Sequence, residues 1–260
     1  MKRRIFLQYG SAALAGAVLT TAPYAAAALP DTVARIKPSV VGVGTYVQTR
    51  SPAIAFAGTG FVVGDGLSVI TNAHVVPDAV DGARKETLGV VVGNAAAVQF
   101  RAATLVALDR EHDLAHLRLE GTPLPALALS ERDDAREGQA LAFTGFPLGM
   151  VLGLYPATHR ALLAAITPVV RPALSARGLD ARAIAQLQRA AFTVYQLDGT
   201  AYPGNSGSPV FDPDTGTVLA VVNMVFVKGL KETAITNPSG ITYAVPVSHV
   251  RALLQRHSPP

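Results

Sequence analysis

Pro203-Gly204-Asn205-Ser206-Gly207-Ser208-Pro209 runs directly into Val210-Phe211 and then into Asp212-Pro213-Asp214-Thr215-Gly216. The residues after the serine decide the fold. A strand–turn–helix elbow would need a glycine two residues after Ser206 and a helix beyond it. The chain has Ser208 and Pro209 there, and the Asp/Pro/Thr/Gly run is a turn between two apolar stretches, so a β-hairpin is expected. Gly204 permits a tight backbone that turns amides inward, so that the N–H groups of Gly204 and Ser206 can converge on a developing oxyanion. A serine hydroxyl reacts only when a base takes its proton, and a plain Gly/Ser/Pro turn is the alternative reading of the loop.

Outward from this loop, the chain is a succession of short β-rich runs separated by glycine-containing turns. They lie at 40–47, 60–63, 68–71, 89–92, 102–108 and 114–119, then at 140–144, 162–167, 192–197, 209–211, 218–227 and 241–245. Spacing this close predicts an all-β barrel or sandwich. Ser130 to Gln139 is the most charged stretch, and an exposed connection of this kind divides a first unit, 28–133, from a second, 134–260. Two segments break the rhythm. Leu179, Ala183, Ile184, Leu187 and Ala190 fall near helical spacing behind Asp180, which predicts an inserted helix over 179–191; Val247 to Leu254, with Ser248 as a cap, predicts a C-terminal helix. With half of its 260 residues apolar, the chain can bury a sizeable core.

Two residues upstream fit the needs of Ser206. His74 lies just after the apolar run Val69-Ile70-Thr71 and precedes the turn signal Pro77-Asp78, so its backbone is fixed by a strand end while its ring can reach into a cleft; a hydrogen-bonded rim histidine is the alternative. Asp113 opens the alternating strand Asp113-Leu114-Ala115-His116-Leu117-Arg118-Leu119. A carboxylate entering an apolar strand needs a partner, and one that accepts from His Nδ1–H would hold the tautomer required of a base. Asp109 competes for that part, and the change to alternating hydrophobicity favours Asp113.

These segments together resemble the chymotrypsin-like (trypsin-like) serine endopeptidases, and within them the bacterial HtrA (Deg) type. The residues that carry the likeness are Gly58-Thr59-Gly60-Phe61-Val62-Val63, Ile70 to Val76 around His74, Asp113 to Leu117, Pro203 to Val210, and Gly240 to Pro246. They stand in the family's order and cover nearly all of the chain after its first residues. The resemblance implies two six-stranded antiparallel β-barrels with a site between them. It also implies His74 as general base, Asp113 as its orienting carboxylate, Ser206 as nucleophile, and the Gly204 and Ser206 amides as the oxyanion hole. By the same likeness the primary pocket is walled by Thr200 and by Asn223, Met224 and Val225, an apolar site for a small or medium aliphatic side chain. Asp198, in an Asp-Gly pair, reads as a turn. Ser208 departs from the glycine common in the family, and the stretch 150–191 is longer than the likeness predicts, either as a lid or as a helix packed on the second barrel. HtrA proteins usually carry a PDZ domain after the protease; the chain ends at Pro260, and none is expected. Trimers are common among such relatives, but no determinant here fixes an oligomeric state.

The N-terminus has a basic start at Lys2, Arg3 and Arg4, an apolar small-residue stretch over 11–22, and the alanines of 25–28. This predicts a cleaved export signal over 1–27, and Arg3-Arg4-Ile5-Phe6-Leu7 resembles the bacterial twin-arginine signal. Those 27 residues hold three bases and no acid, so without them the formal charge drops from +4 to +1. The resemblance implies polypeptide substrates, and the signal places them in the periplasm or outside the cell; nucleic acid and stable membrane insertion are not expected, since no basic run with interleaved aromatics and no further spanning stretch are present. The absence of cysteine fits export in a folded state. No metal or other cofactor is expected, because the remaining histidines lack a ligand pattern. Two rival functions stay open: an α/β-type serine hydrolase, using Asp212 or Asp214 and His249 after Ser206, and a protease-like fold kept as a binding or scaffold protein.

Overall fold

Runs such as Val69-Ile70 and Val218 to Val222 are apolar at consecutive positions, so their strands must be covered on both faces. The architecture meets this demand with two barrels that share a core. The computed structural model describes residues 29–93, 98–149, 153–169, 192–223 and 240–256. Strands β1 (Val40–Tyr46), β2 (Ile54–Val63), β3 (Ser68–Thr71), β4 (Thr87–Val92), β5 (Gln99–Asp109) and β6 (Leu114–Leu119) close one barrel in the order β1-β2-β3-β6-β5-β4. Strands β7 (Ala140–Gly145), β8 (Ala157–Pro168), β9 (Thr193–Asp198), β10 (Pro209–Phe211), β11 (Val218–Asn223) and β12 (Ile241–Pro246) close the second as β10-β11-β12-β9-β8-β7. All pairings within the barrels are antiparallel. Closure leaves neither sheet an open edge.

Side-chain alternation then sorts each strand between two cores. In the first barrel Val41, Val43, Val62, Val69, Ala115 and Leu117 fill the interior, while their neighbours Val40, Phe61, Val63, Ile70 and Leu114 face a cluster shared with the second barrel. In the second, Leu219, Ala220 and Val222 point inward, whereas Val218 and Val221 join that shared cluster. Helix α1 (Leu29–Ile36) and helix α2 (Val247–Arg256) contribute Ile36, Val247, Val250 and Leu253 to it. The barrels are thus joined by apolar surface that each would otherwise expose.

The fold agrees with the all-β, two-barrel expectation, and the strand ends are where it adds detail. β2 and β8 begin earlier than the sequence suggests, at Ile54 and Ala157. The start of β8 converts the middle of the presumed 150–191 insertion into barrel wall. The inserted helix over 179–191 lies outside the described residues, as do the signal 1–27 and the end of the 218–227 run. Helix α1 is an addition to the expected elements, and α2 starts at Val247, which puts Ser248 inside its first turn rather than at the cap. The hairpin after the serine loop is present: β10 pairs with β11, and Asp212 Oδ1 accepts from the N–H groups of Asp214 and Thr215. That hairpin, in place of a helix, removes the α/β alternative. The connection 120–139 is anchored by isolated bridges Val63 to Leu127 and Leu129 to Val218, and by Arg251 of α2, which donates to Ser130 O and to Asp133.

A polar cluster fastens α2 to the β5–β6 turn. Asp109 Oδ2 accepts from His112 Nδ1 at 2.9 Å and from Arg256 Nη2 at 2.8 Å. The His112 ring stacks on His249 at 3.9 Å between centroids, and Phe192 meets both edge-on. Burial, with His112 beside it, pushes His249 down to about 4 from an ordinary 6.5. Burial alone would raise Asp109, but the hydrogen bonds from His112 and Arg256 outweigh it and bring the carboxyl to about 2.

This packing has two measurable consequences for stability. Leu253→Ala, which empties a position 1% exposed in the shared core, should cost about 2–5 kcal/mol by urea denaturation. Between pH 6.5 and about 4 the unfolded chain protonates His249 while the folded chain resists, so folding stability falls as pH drops through that window. His249→Gln should flatten this part of the curve of urea midpoint against pH, and a curve as steep as wild type would refute the assignment; the Asp109 contribution, present above pH 3.8, is lost only as pH falls toward 2.

Candidate active site

His74 sits in a single 3-10 turn, Ala73–Val75, immediately beyond β3. Its partner is delivered by the turn into β6. Asp113 adopts φ +55°, a left-handed conformation rare for a residue with a side chain, and its carboxylate reaches back across the β3–β6 pair. Oδ1 accepts the backbone N–H of His74 at 2.9 Å and Oδ2 lies 2.6 Å from His74 Nδ1. The backbone is tied as well, because Asp113 O accepts from Ala73 N at 3.1 Å and from Asn72 Nδ2 at 3.0 Å. This two-point grip fixes the position and the rotation of the imidazole. With Nδ1 facing a carboxylate, Nε2 is the ring nitrogen left to take a proton. The ring remains accessible, its side chain 28% exposed against 15% for Asp113.

Asp109 plays no part in this pair, since its carboxylate faces His112 and Arg256. The second barrel supplies a third donor instead. Asn223, at the end of β11 and fully buried, donates from Nδ2 to Asp113 Oδ2 at 2.9 Å. Of the residues expected to wall a substrate pocket, Asn223 therefore has its amide turned onto Asp113. Thr200 is half-buried beside a turn where Thr242 Oγ1 donates to Gly199 O and accepts from Ala201 N. Met224 and Val225 lie outside the described residues.

The Ser206 loop is held one peptide at a time. Its carbonyls from Pro203 to Ser206 are all occupied: Pro203 O accepts from Leu148 N, Gly204 O from Thr59 Oγ1, Asn205 O from Ser208 N, and Ser206 O from Thr59 N. Among its N–H groups, Asn205 donates to Tyr202 O and Gly207 to Val222 O. Among the described residues, the N–H groups of Gly204 and Ser206 have no acceptor. Positive φ at Gly204 (+100°) and Gly207 (+87°) bends the chain into this shape, which glycine adopts without strain. A Cβ at Gly204 would overlap Phe146 O, and one at Gly207 would overlap Thr59 O. Ser206 is 6% exposed, and its Oγ makes no hydrogen bond to His74 in this structure.

Gly58 shows how the two halves of the site meet, because an added Cβ there would touch both Val75, next to His74, and Ser206 O. The result is a partly exposed histidine backed by a carboxylate, next to a serine loop with two amides unengaged among the described residues. Two closed barrels with such a site define a chymotrypsin-like architecture. Residues 58–221 match the trypsin-like peptidase domain, and the chain belongs to that family, a class of serine endopeptidases. A DegP-like periplasmic serine endoprotease of Halomonas elongata is 27% identical over 191 residues, 73% of this chain and 32% of its own. The mitochondrial serine protease HTRA2 of Drosophila pseudoobscura pseudoobscura is 30% identical over 205 residues, 79% of this chain and 40% of its own. The chain thus spans roughly a third to two fifths of the length of these curated relatives. Among solved structures, the active form of the Rv3671c protease from M. tuberculosis has the same fold, with TM-score 0.63 at 24% identity over 88% of this chain and 85% of that one. The serine endoprotease from Yersinia pestis matches with TM-score 0.60 at 22% identity, over 88% and 66%.

The loop geometry carries its own test. Gly207→Ala would place a methyl group against Thr59 O and Thr71 Oγ1 at a φ that L-residues avoid, so it should destabilise the fold by about 1–3 kcal/mol or more in urea. Gly82→Ala, at a glycine with open space around its Cβ position, serves as the control and should change stability by less than about 1 kcal/mol.

Proposed function

We propose that this chain is an exported serine endopeptidase that cleaves peptide bonds through an acyl-enzyme, with His74, Asp113 and Ser206 as its triad. The observation that carries the reading is the double contact of Asp113 with His74, through backbone N–H and Nδ1, in the same site as a serine loop in which the N–H groups of Gly204 and Ser206 have no acceptor among the described residues. In the mechanism His74 Nε2 takes the Ser206 proton as Oγ attacks the scissile carbonyl, and Asp113 stabilises the imidazolium that forms. The tetrahedral oxyanion accepts from the Gly204 and Ser206 amides, each such donor being worth about 3–4 kcal/mol in the transition state. Imidazolium then protonates the leaving amine, the acyl-enzyme forms, and water attacks it with His74 again as base. Asn223, a third donor to Asp113, holds that carboxylate in place.

The missing hydrogen bond between Ser206 and His74 belongs to the resting site in this reading, since catalytic contacts tighten only when substrate is bound. The same observation favours a second reading, a protease fold kept as a restrained binding protein. The relative named as periplasmic and the signal-like residues 1–27 support action outside the inner membrane. Unfolded polypeptide is the proposed substrate class.

One experiment separates the two readings. Purified wild type should be labelled by a fluorophosphonate and should cleave unfolded casein in preference to a folded globular protein. Ser206→Ala should abolish labelling, and His74→Ala should slow casein cleavage by about 10³-fold or more. Labelling that survives Ser206→Ala would reject the mechanism, and a wild type that neither labels nor cleaves would establish the binding-protein alternative.

A further inference from the structure

Thr59, on β2 of the first barrel, is fully buried, and each of its polar atoms is engaged around the serine loop of the second barrel. Its N–H donates to Ser206 O at 2.8 Å and its Oγ1 donates to Gly204 O at 2.6 Å. The same Oγ1 accepts Phe146 N–H at 3.1 Å, and Thr59 O accepts from Thr71 Oγ1 at 2.7 Å. One residue therefore holds the carbonyls of both amino acids whose N–H groups have no acceptor among the described residues.

The consequence lies in the peptide planes. The plane joining Gly204 to Asn205 is pinned at both ends, by Thr59 Oγ1 on its carbonyl and by Tyr202 O on its N–H. The plane joining Ser206 to Gly207 is pinned likewise, by Thr59 N and by Val222 O. Between them lies the plane that carries the Ser206 N–H, and immediately before them lies the plane that carries the Gly204 N–H. Gly204 has no Cβ to restrict its rotation and sits at φ +100°, so local sterics alone do not settle which way its neighbouring amides point. Leu148 N on Pro203 O, Ser208 N on Asn205 O and, from the other barrel, the Thr59 hydroxyl on Gly204 O settle it together. Threonine suits this task because β-branching limits χ1 and so places the hydroxyl in advance.

We infer that Thr59 is a positioning residue of the oxyanion site: its side-chain hydroxyl, by fixing the Gly204 carbonyl, aims the Gly204 and Ser206 amides at the reacting carbonyl oxygen. This role rests on the peptidase reading of the site. Thr59 touches no substrate atom in it. The residue acts through the loop, and it makes the docking of the two barrels a condition for a formed oxyanion site.

Three substitutions separate this from a merely structural contribution. Thr59→Val keeps the shape and the backbone N–H to Ser206 but deletes the hydroxyl; Thr59→Ser keeps the hydroxyl; Thr59→Ala deletes it with room to spare and serves if the valine variant fails to fold. Cleavage of fluorescently labelled casein is measured at a temperature below the unfolding midpoint of every variant, together with the rate of labelling by a fluorophosphonate. Loss of a complete oxyanion donor in comparable sites lowers kcat by about 10²–10³-fold, so misaiming should lower kcat by about tenfold to a hundredfold. KM should change by less than about threefold, because ground-state binding does not use the oxyanion. The labelling rate of Thr59→Val should fall in parallel, and Thr59→Ser should restore both rates to within about threefold of wild type. Thr59→Val or Thr59→Ala with kcat and labelling near wild type would overturn the inference while leaving the peptidase reading intact. A serine variant as impaired as valine would overturn it too, since the hydroxyl would then not be the cause. A wild type that fails to label would sink the peptidase reading itself, and this role with it.

Discussion

The Asp113 carboxylate is the contact on which the site depends, because donors from both barrels end on it. His74 contributes two, its backbone N–H and Nδ1, and Asn223 contributes the third from β11. A half-buried carboxylate needs hydrogen-bond partners, and these three donors supply them. The arrangement also has a geometric effect. β11 is the strand whose Val222 holds both Gly207 N–H and, through its own N–H, Ser208 O. Asp113 and the serine loop are thus tied to adjacent residues of one strand, so a shift of the second barrel against the first would disturb base and nucleophile together.

This polar contact is possible only because apolar surface has already brought the barrels together. Alternate residues of β2, β3, β6 and β11 face a common cluster instead of solvent, and both helices seal its margins. The Asp109, His112, His249 and Arg256 group lies on the same route, since His112 immediately precedes Asp113 in the β5–β6 turn. Anchoring that turn to α2 restrains the stretch of backbone from which Asp113 departs in its left-handed conformation. Shape and charge thus act at different ranges: the core sets the separation of the barrels, and a few hydrogen bonds set the last ångström.

The barrel architecture is readable from the sequence because β-branched runs alternate with glycine turns at close spacing, and β3, β6 and β10 have the bounds expected of them. The hairpin after Ser206 is legible for a similar reason, since Asp212 to Gly216 has the composition of a turn and nothing helical. Strand starts are less legible. The residues added at the start of β8 include His159 and Arg160, whose strand state comes from pairing with β7 and not from propensity. Helix α1 carries usable signals in Pro30 and Asp31 near its start, but it adjoins the alanine-rich stretch 25–28, whose composition masks it. In the site, His74 and Asp113 are visible as residue types at strand ends. The Asn223 contact is not, because a single sequence gives its place on a strand but not which of two facing groups its amide meets. Thr59 stands in the strand motif 58–63 with nothing local to mark it. Its hydrogen bonds cross between residues 145 apart in the chain, a relation that no local pattern encodes.

Ser208 illustrates how a departure from the family pattern is absorbed. A side chain directly behind the nucleophile loop needs space, and Ser208 is completely buried. The space comes from Gly145 at the end of β7, where a Cβ would overlap Ser208 Oγ and crowd Asn205 Oδ1 and Thr59 Oγ1. The hydroxyl therefore occupies the volume that a side chain at 145 would fill. In a close-packed interior such an exchange adds the atom without moving backbone, but it leaves Ser208 Oγ buried with no hydrogen-bond partner among the described residues, which costs free energy. Thr59 Oγ1 borders the same space while donating to Gly204 O, so the volume freed at Gly145 serves both hydroxyls.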